Sequence, residues 1–417
     1  MLRNKPMEIK IKTLTPIWTG GVEGKCDRLH ETGIIGSLRW WYEALVRGLG
    51  GYACDPAEES CKFDTKSYEK SLNGDNTIDD ALSVGLKEVC PACWLFGCTG
   101  WKRQFQLQIE NAPITPLHFR TSIDMNKSWL RRIFGGESQN IDNLHVFFGD
   151  LRFRFLIRAS NTDSADYVRS QLLMLFLFIS KYGGLGAKLQ HGFGQVQILE
   201  TGSATGDGVN DGLKALYRQI NSGKFKFLQA AGSSDTPYNL QNFISLDYDL
   251  PVSFLKIFMQ NSSHIGSNSK TLEDRYIPCA FDIRYKSKDK FGMRRWLREE
   301  KNWSESDNPK QLGQNDQLLG PRSQWKAGKN TVKIDEDKRT ASRLCIGMPY
   351  KIDDRSYRLR IFGFVPPVLQ VPEGELTPDL LSAYCQEYMQ HAFNENIKPT
   401  NIISGKDIIK QMEANIL

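Results

Sequence analysis

Histidine is scarce in this chain, and no catalytic pattern contains it. The six are His30, His118, His145, His191, His264 and His391 among 417 residues. No HExxH pair and no GxSxG elbow occurs, which removes the chemistries that depend on those spacings. Long apolar runs are also missing. The longest, "LLMLFLFI" at 172–179, falls far short of the ~20 residues that cross a bilayer, so it predicts a buried helix and no membrane partner. The opening "MLRNKPMEIKIKTLTP" is polar and strand-like, unlike a secretory leader. A large excess of one charge is absent too: 54 Lys and Arg against 48 Asp and Glu leave +6. Such a balance permits a polyanionic partner without demanding one, so the placement of charge must decide.

Cysteine is present, at an odd count of nine. In a chain of this length that predicts a cytoplasmic, reducing location and free or metal-bound thiols, not a disulfide framework. Cys90 and Cys93 form a CxxC pair in "CPACWLFGC", and Cys54 and Cys61 form an upstream pair. Four thiolates so paired could hold a tetrahedral structural zinc and staple a long insertion. Six residues between Cys54 and Cys61 is wider than the usual knuckle, and Cys98 is a competing ligand. Small buried hydrophobes would account for the same residues.

Periodicity supplies the organisation. "MEIKIKTLTPIWTGG" alternates and predicts a first strand ending at Pro16. Within 33–49, Ile34, Ile35, Leu38, Trp41, Tyr42, Leu45, Val46 and Leu49 recur at helical spacing. Strands are predicted at 103–110, 147–160 and 194–200, and a second helix at 164–182 ending at Gly183. The order β, α, β, β, α, β is the split βαβ arrangement of ferredoxin-like and RNA-recognition folds. The expected class is therefore α+β, with a ferredoxin-like domain carrying a long insertion and room for a second, degenerate copy in tandem. Residues 1–205 form the first, with a Cys-rich insertion at about 50–100, and 206–417 a second, degenerate copy. In the second, a strand is predicted at 252–259, a basic helix at 291–300 and two strands within 343–365. Helices near 376–393 and 404–415 close the chain, and the charged stretch 301–340 reads as a mobile loop.

Five of the twelve residues of "GGLGAKLQHGFG" at 183–194 are glycine. The stretch lacks the P-loop spacing and the dinucleotide fingerprint. Two readings stay open: a structural turn after a helix, or a loop in which Gly183, Gly184 and Gly186 bring amides to a phosphate and Lys188 adds charge. Arginines are grouped as well. Arg28, Arg39 and Arg47 flank or lie on the first helix, and Arg152, Arg154 and Arg158 line one strand face. Residues 284–298 carry seven cations, Arg294 and Arg295 among them, with Phe291 and Trp296 between. Basic side chains interleaved with aromatics suit single-stranded RNA, although any one such run is more often a solvated surface.

The segments "RLHETGIIGSLRWWYEAL", "LFGCTGWKRQF" and "GGLGAKLQHGFG", in this order, resemble the RAMP proteins of CRISPR systems. With "TPIWTGG" and "CPACWLFGCTGW", the chain is similar to the RAMP subunits of type III-B (Cmr) effector complexes. The resemblance implies tandem ferredoxin-like domains and a non-catalytic subunit that holds the 3′ part of a guide RNA. Target RNA and neighbouring RAMP subunits are the implied partners. Carried onto this sequence, the RNA-binding set is Arg28, Arg39, Trp40, Gly183, Gly184, Gly186, Lys188, His191 and Gly192 with Gly194, and Arg294 and Arg295 join it from the second basic run. Many relatives carry arginine where this chain has Lys188, which keeps the charge but loses the bidentate fork. The alternative is a metal-independent RAMP-type endoribonuclease with His30 or His191 as general base.

Overall fold

The alternation in "MEIKIKT" buries Met7, Ile9 and Ile11 on one side, and this stretch is the first strand of the computed structural model, β1 (Met7–Thr13). The structure describes residues 6–21, 28–56, 60–74, 76–112, 114–117, 144–158, 161–202, 208–222, 238–254, 283–284, 292–322, 324–327, 330–393 and 396–414. After β1 comes α1 (Glu31–Gly48), then three short helices in the cysteine-rich stretch: α2 (Thr65–Leu72), α3 (Ile78–Gly85) and α4 (Pro91–Phe96). β2 (Phe105–Glu110) follows, then a hairpin of β3 (Ile114–Leu117) and β4 (Leu144–Phe147), then β5 (Asp150–Ile157), α5 (Thr162–Tyr182), β6 (Val196–Glu200) and α6 (Gly208–Asn221).

The first sheet runs β2-β5-β1-β6, antiparallel throughout. Each helix therefore joins strands separated by a third, the split βαβ connection. Register explains the two faces. Ile9 opposes Phe153 and Ile11 opposes Leu151 on the covered side, while Glu8 opposes Arg154 and Lys10 opposes Arg152 on the open side. α1 and α5 lay Leu38, Trp41, Leu45, Leu172, Phe176 and Ile179 over the covered face. Burying each such side chain contributes about 1.5–3 kcal/mol.

The second half contains β7 (Phe243–Pro251), α7 (Met293–Glu300), α8 (Gln314–Leu319), a hairpin of β8 (Gln324–Ala327) and β9 (Asn330–Lys333), then β10 (Leu344–Ile346), β11 (Tyr350–Lys351) and β12 (Ser356–Phe364). β13 (Gln370–Val371), β14 (Gly374–Glu375), α9 (Pro378–Phe393), β15 (Asn401–Ser404) and α10 (Gly405–Ala414) complete it. Its main sheet runs β10-β12-β7-β15, again antiparallel, and so repeats the order of the first.

Two expectations need correction. The strand sits at β7 instead of 252–259, where Val252 to Phe254 leave the sheet and 255–259 lie outside the described residues. Asp247 and Asp249 break the apolar pattern of β7, yet Arg360 and Arg358 from β12 hold both carboxylates bidentately, at 2.7 and 3.1 Å and at 2.7 and 2.9 Å. Opposite-charge cross-strand pairs let acids sit in a central strand. Residues 301–340 are not a loop: α8 and the β8–β9 hairpin lie there, and Trp303, Leu318 and Leu319 are buried. Few aliphatics suffice because an ion network completes that core. Finally, α6 packs back onto the first half, since Gln171 donates to the Gly212 carbonyl at 3.0 Å and a Cβ on Gly212 would lie 2.4 Å from Met174. This helix, in the stretch assigned above to the second domain, thus lies on the first half. The two halves share apolar core: Phe243, Phe362 and Phe364 surround Trp41 at ring distances of 5.7, 6.1 and 5.9 Å.

Candidate functional site

Between α5 and β6 the glycine-rich stretch folds against its own protein. A Cβ on Gly183 would lie 2.4 Å from the Trp41 ring, one on Gly192 2.6 Å from the Met348 nitrogen, and one on Gly194 2.2 Å from the Leu185 carbonyl oxygen. Gly186, Gly192 and Gly194 also have φ of +92°, +92° and +83°, which side-chain-bearing residues rarely adopt. Their amides are committed. Gly183 N–H donates to Ile179 at 2.9 Å, Gly186 to Ser37 Oγ at 3.0 Å, Gly192 to Leu189 at 2.9 Å and Gly194 to Pro16 at 2.8 Å. Trp41 Nε1 donates to the Gly184 carbonyl at 2.9 Å. Of the three glycines expected to present amides to a phosphate, Gly183 and Gly186 thus have theirs bonded within the chain. The loop is a wedge between the halves, with Met348 N–H donating to Gly192 at 3.2 Å, Gln195 to Met348 at 3.1 Å and Arg284 to Gln190 at 3.0 Å.

Lys188 stands apart from this packing. Its φ of +58° turns the chain, and its Nζ lies 3.4 Å from the Trp18 ring centroid, a cation–π contact worth about 1–2 kcal/mol when partly desolvated. Ala187 N–H holds the Trp18 carbonyl at 2.8 Å. From the other side, Thr19 Oγ donates to the Arg28 carbonyl at 3.2 Å and accepts from His30 N–H at 2.9 Å. The backbone of Arg28 and His30 thus meets Thr19, next in the chain to Trp18, on which Lys188 sits. Arg28 is 62% exposed and pairs with Glu31 at 3.3 Å. Gly20, and Gly36 beside Ser37, have nothing within 4 Å of a built Cβ. Sequence reading passed over these two glycines; their only signals are "TGG" and "IIGS", which any turn or helix could contain.

The cysteines converge. Sγ atoms of Cys54, Cys61, Cys90 and Cys93 all lie within 4.8 Å of one another, with Cys54–Cys93 at 3.3 Å and Cys54–Cys90 at 3.8 Å. Zn–S bonds of about 2.3 Å at tetrahedral angles set sulfurs roughly 3.8 Å apart, so the quartet fits such a cation. Cys90 caps α4, accepting the Cys93 N–H at 3.4 Å, which fixes the pair's geometry. Hydrogen bonds from neighbouring thiols, that of Cys54 first, hold Cys93 far below the ordinary thiol range, and the same contacts push Cys61 and Cys90 up. Cys98 joins through Cys93, which raises its thiol, but it lies outside the quartet.

Several predicted RNA contacts are elsewhere. Arg39 turns inward, its Nη2 3.2 Å from Cys93 Sγ and 3.7 Å from Cys54 Sγ. Trp40 packs edge-on against Trp41, Tyr238 and Phe364 at 4.8, 5.1 and 5.4 Å. Arg294 is 5% exposed and donates to Asp316 at 2.7 Å. Burial alone would raise the Asp316 carboxyl, but Arg294 and Ser306 outweigh it and hold it below the ordinary value of 3.8. Arg295 pairs with Glu299 at 2.7 Å on the surface of α7. His191 is half-buried in a 3-10 turn. On the open sheet face Arg152 and Arg154 face Glu110 and Glu8 at 3.8–4.0 Å, so that face is nearly balanced.

A split βαβ sheet with a glycine-rich loop after its second helix defines the class. Residues 10–197 match the sequence model of the RAMP superfamily. No curated protein sequence matches it. Among solved structures the chain is similar to Cmr1 from Pyrococcus furiosus in its apo form, at 13% identity over 95% of this chain and 98% of that one, with a TM-score of 0.40. It is also similar to a chain of the type III-B Cmr-beta complex bound to cognate target RNA and AMPPnP in the presence of ssDNA, at 12% identity, 94% and 99% coverage and a TM-score of 0.40. A third, from Cmr-beta bound to cognate target RNA, gives 11% identity, the same coverage and 0.39. Among the described residues no helix is long and apolar enough to cross a membrane.

Proposed function

We propose that the chain is a non-catalytic RNA-binding subunit of a type III-B CRISPR effector, holding the 3′ part of the guide RNA beside neighbouring RAMP subunits and within reach of target RNA. In this reading both sheets belong to ferredoxin-like domains in tandem. The match of residues 10–197 to the RAMP superfamily model carries it, with the repeated strand order in support. The surface offered to RNA is the cluster of Arg28 and Lys188 around Trp18 and Thr19, where Gly20 and Gly36 leave main chain bare. Two cations and open backbone suit a ribose-phosphate strand, because phosphates contribute sequence-independent attraction, while buried Trp18 seats the Lys188 ammonium. The cysteine quartet, in the same reading, holds a structural zinc. Zinc bound there would pin the 54–61 segment to α4 and supply folding energy without taking part in chemistry.

The test is retardation of labelled guide-repeat RNA across a salt series with chelator present. Retarded, intact RNA supports the reading, with a slope that drops by about one in Arg28→Ala or Lys188→Ala if each meets one phosphate. Specific cleavage abolished by His30→Ala or His191→Ala overturns it in favour of the ribonuclease. No retardation at low salt leaves only a protein scaffold.

A further inference from the structure

Arg39 reads from sequence as a residue for RNA, and the structure surrounds it with sulfur and carbonyl oxygen instead. We propose that Arg39 is the counter-charge of a metal-loaded four-thiolate centre, and that metal there secures the join between the two halves of the molecule through Arg47. The proposal rests on the zinc reading above.

Four thiolates around a divalent cation carry a net charge of −2. Cys54, Cys90 and Cys93 are buried, so that charge needs a partner in place of water. Arg39 is the cation positioned for it. Beyond the two sulfur contacts, its Nε donates to Glu43 at 2.7 Å and its Nη1 to the Gly97 carbonyl at 3.1 Å. All three nitrogens are therefore engaged, and the guanidinium is fixed between α1 and the end of the α4 segment that carries Cys93. A planar fork with several bonds is held in place far better than a lysine would be.

Arg47 sits two turns further along α1, 4.0 Å from Glu43. It donates to the Ala53 carbonyl at 3.2 and 2.9 Å and to the Cys54 carbonyl at 3.2 Å. Its remaining Nη1 reaches the Tyr238 carbonyl at 3.3 Å. Tyr238 packs edge-on against Trp40 and Phe364 at 5.1 and 5.6 Å, just before β7. One buried arginine thus grips both a ligand-bearing segment and the entry to the second sheet. Arg47 is a positioning residue in this account. A bound metal fixes Cys54 far more firmly than thiol–thiol contacts, since S–H is a weak donor. Cys54 in turn fixes the carbonyls that orient Arg47.

The experiment uses the full chain. Elemental analysis gives zinc content, competition with a chromophoric chelator gives zinc affinity, and hydrogen exchange follows residues 238–246 in zinc-loaded and zinc-stripped protein. Arg39→Gln is expected to weaken zinc about 10–100-fold, the usual effect of losing an outer-sphere partner, with Arg39→Lys closer to the native chain. Stripping zinc is expected to speed exchange at 238–246 while 172–179 in α5 stay protected, and Arg47→Gln is expected to do the same with zinc still bound. Native zinc affinity in Arg39→Gln, or exchange at 238–246 indifferent to zinc, overturns the proposal while the zinc reading stands. The exchange comparison needs no variant, so it decides even if a substitution does not fold. Purified native chain without zinc defeats the zinc reading itself.

Discussion

The glycine loop and the cysteine quartet look alike as sequence clusters, and their three-dimensional outcomes are opposite. In the loop, space cleared by missing side chains is taken by Trp41, Met348 and Leu185 of the same chain, and the amides of Gly183, Gly186, Gly192 and Gly194 are bonded. In the quartet, four sulfurs from three segments meet at spacings that suit a cation. Glycine removes atoms and leaves open what arrives. Cysteine brings ligands that have few reasons to gather other than each other or a metal. A cluster of ligands therefore carries more functional information than a cluster of gaps.

The largest effect expected from this contrast is at the sulfurs. Replacing Cys90 and Cys93 together by serine should abolish zinc binding and destabilise the chain by on the order of 5 kcal/mol, read by denaturant titration. A native midpoint in that variant would reduce the quartet to packed thiols. Next comes the loop. Gly194→Ala meets both a positive φ and a backbone oxygen, and about 2–4 kcal/mol should be lost, with RNA affinity of the folded fraction unchanged. Reduced RNA affinity with undiminished stability would restore the loop as a ligand site. At the surface, Arg28→Ala and Lys188→Ala should each weaken RNA three- to tenfold, roughly 1 kcal/mol, at low salt and less at high salt.

The smallest effect concerns the ion network of the second half. Because Asp316 is held below 3.8 in the fold, its contribution is fully present above that unfolded value and fades as pH falls through the native one. Acid unfolding of the native chain should therefore be steeper below about pH 4 than in Asp316→Asn. Identical acid limbs would remove that pair from the stability of α8.

What was legible in sequence followed simple periodicity. "MEIKIKT", "RQFQLQIE" and the run before Gly183 became β1, β2 and α5 because each presents one apolar face. The second half resisted for a physical reason: β7 hides two acids that are neutralised only by Arg358 and Arg360, more than a hundred residues later. The stretch 301–340 likewise draws its order from Arg294 and Asp316 pairing across the chain. Spacing picked out the four sulfurs that the fold brings together, whereas Arg39, read as an RNA contact, lies against two of them, since a cation on a helix does not announce which partner awaits it. Gly20 and Gly36 were missed because only the fold reveals which glycines stay uncovered.

Metal content of the natively purified chain tests the central contrast most directly. About one zinc per chain, retained through gel filtration and lost with the quartet, is the expected result. Less than about half an equivalent, with the four thiols freely titratable, would contradict it.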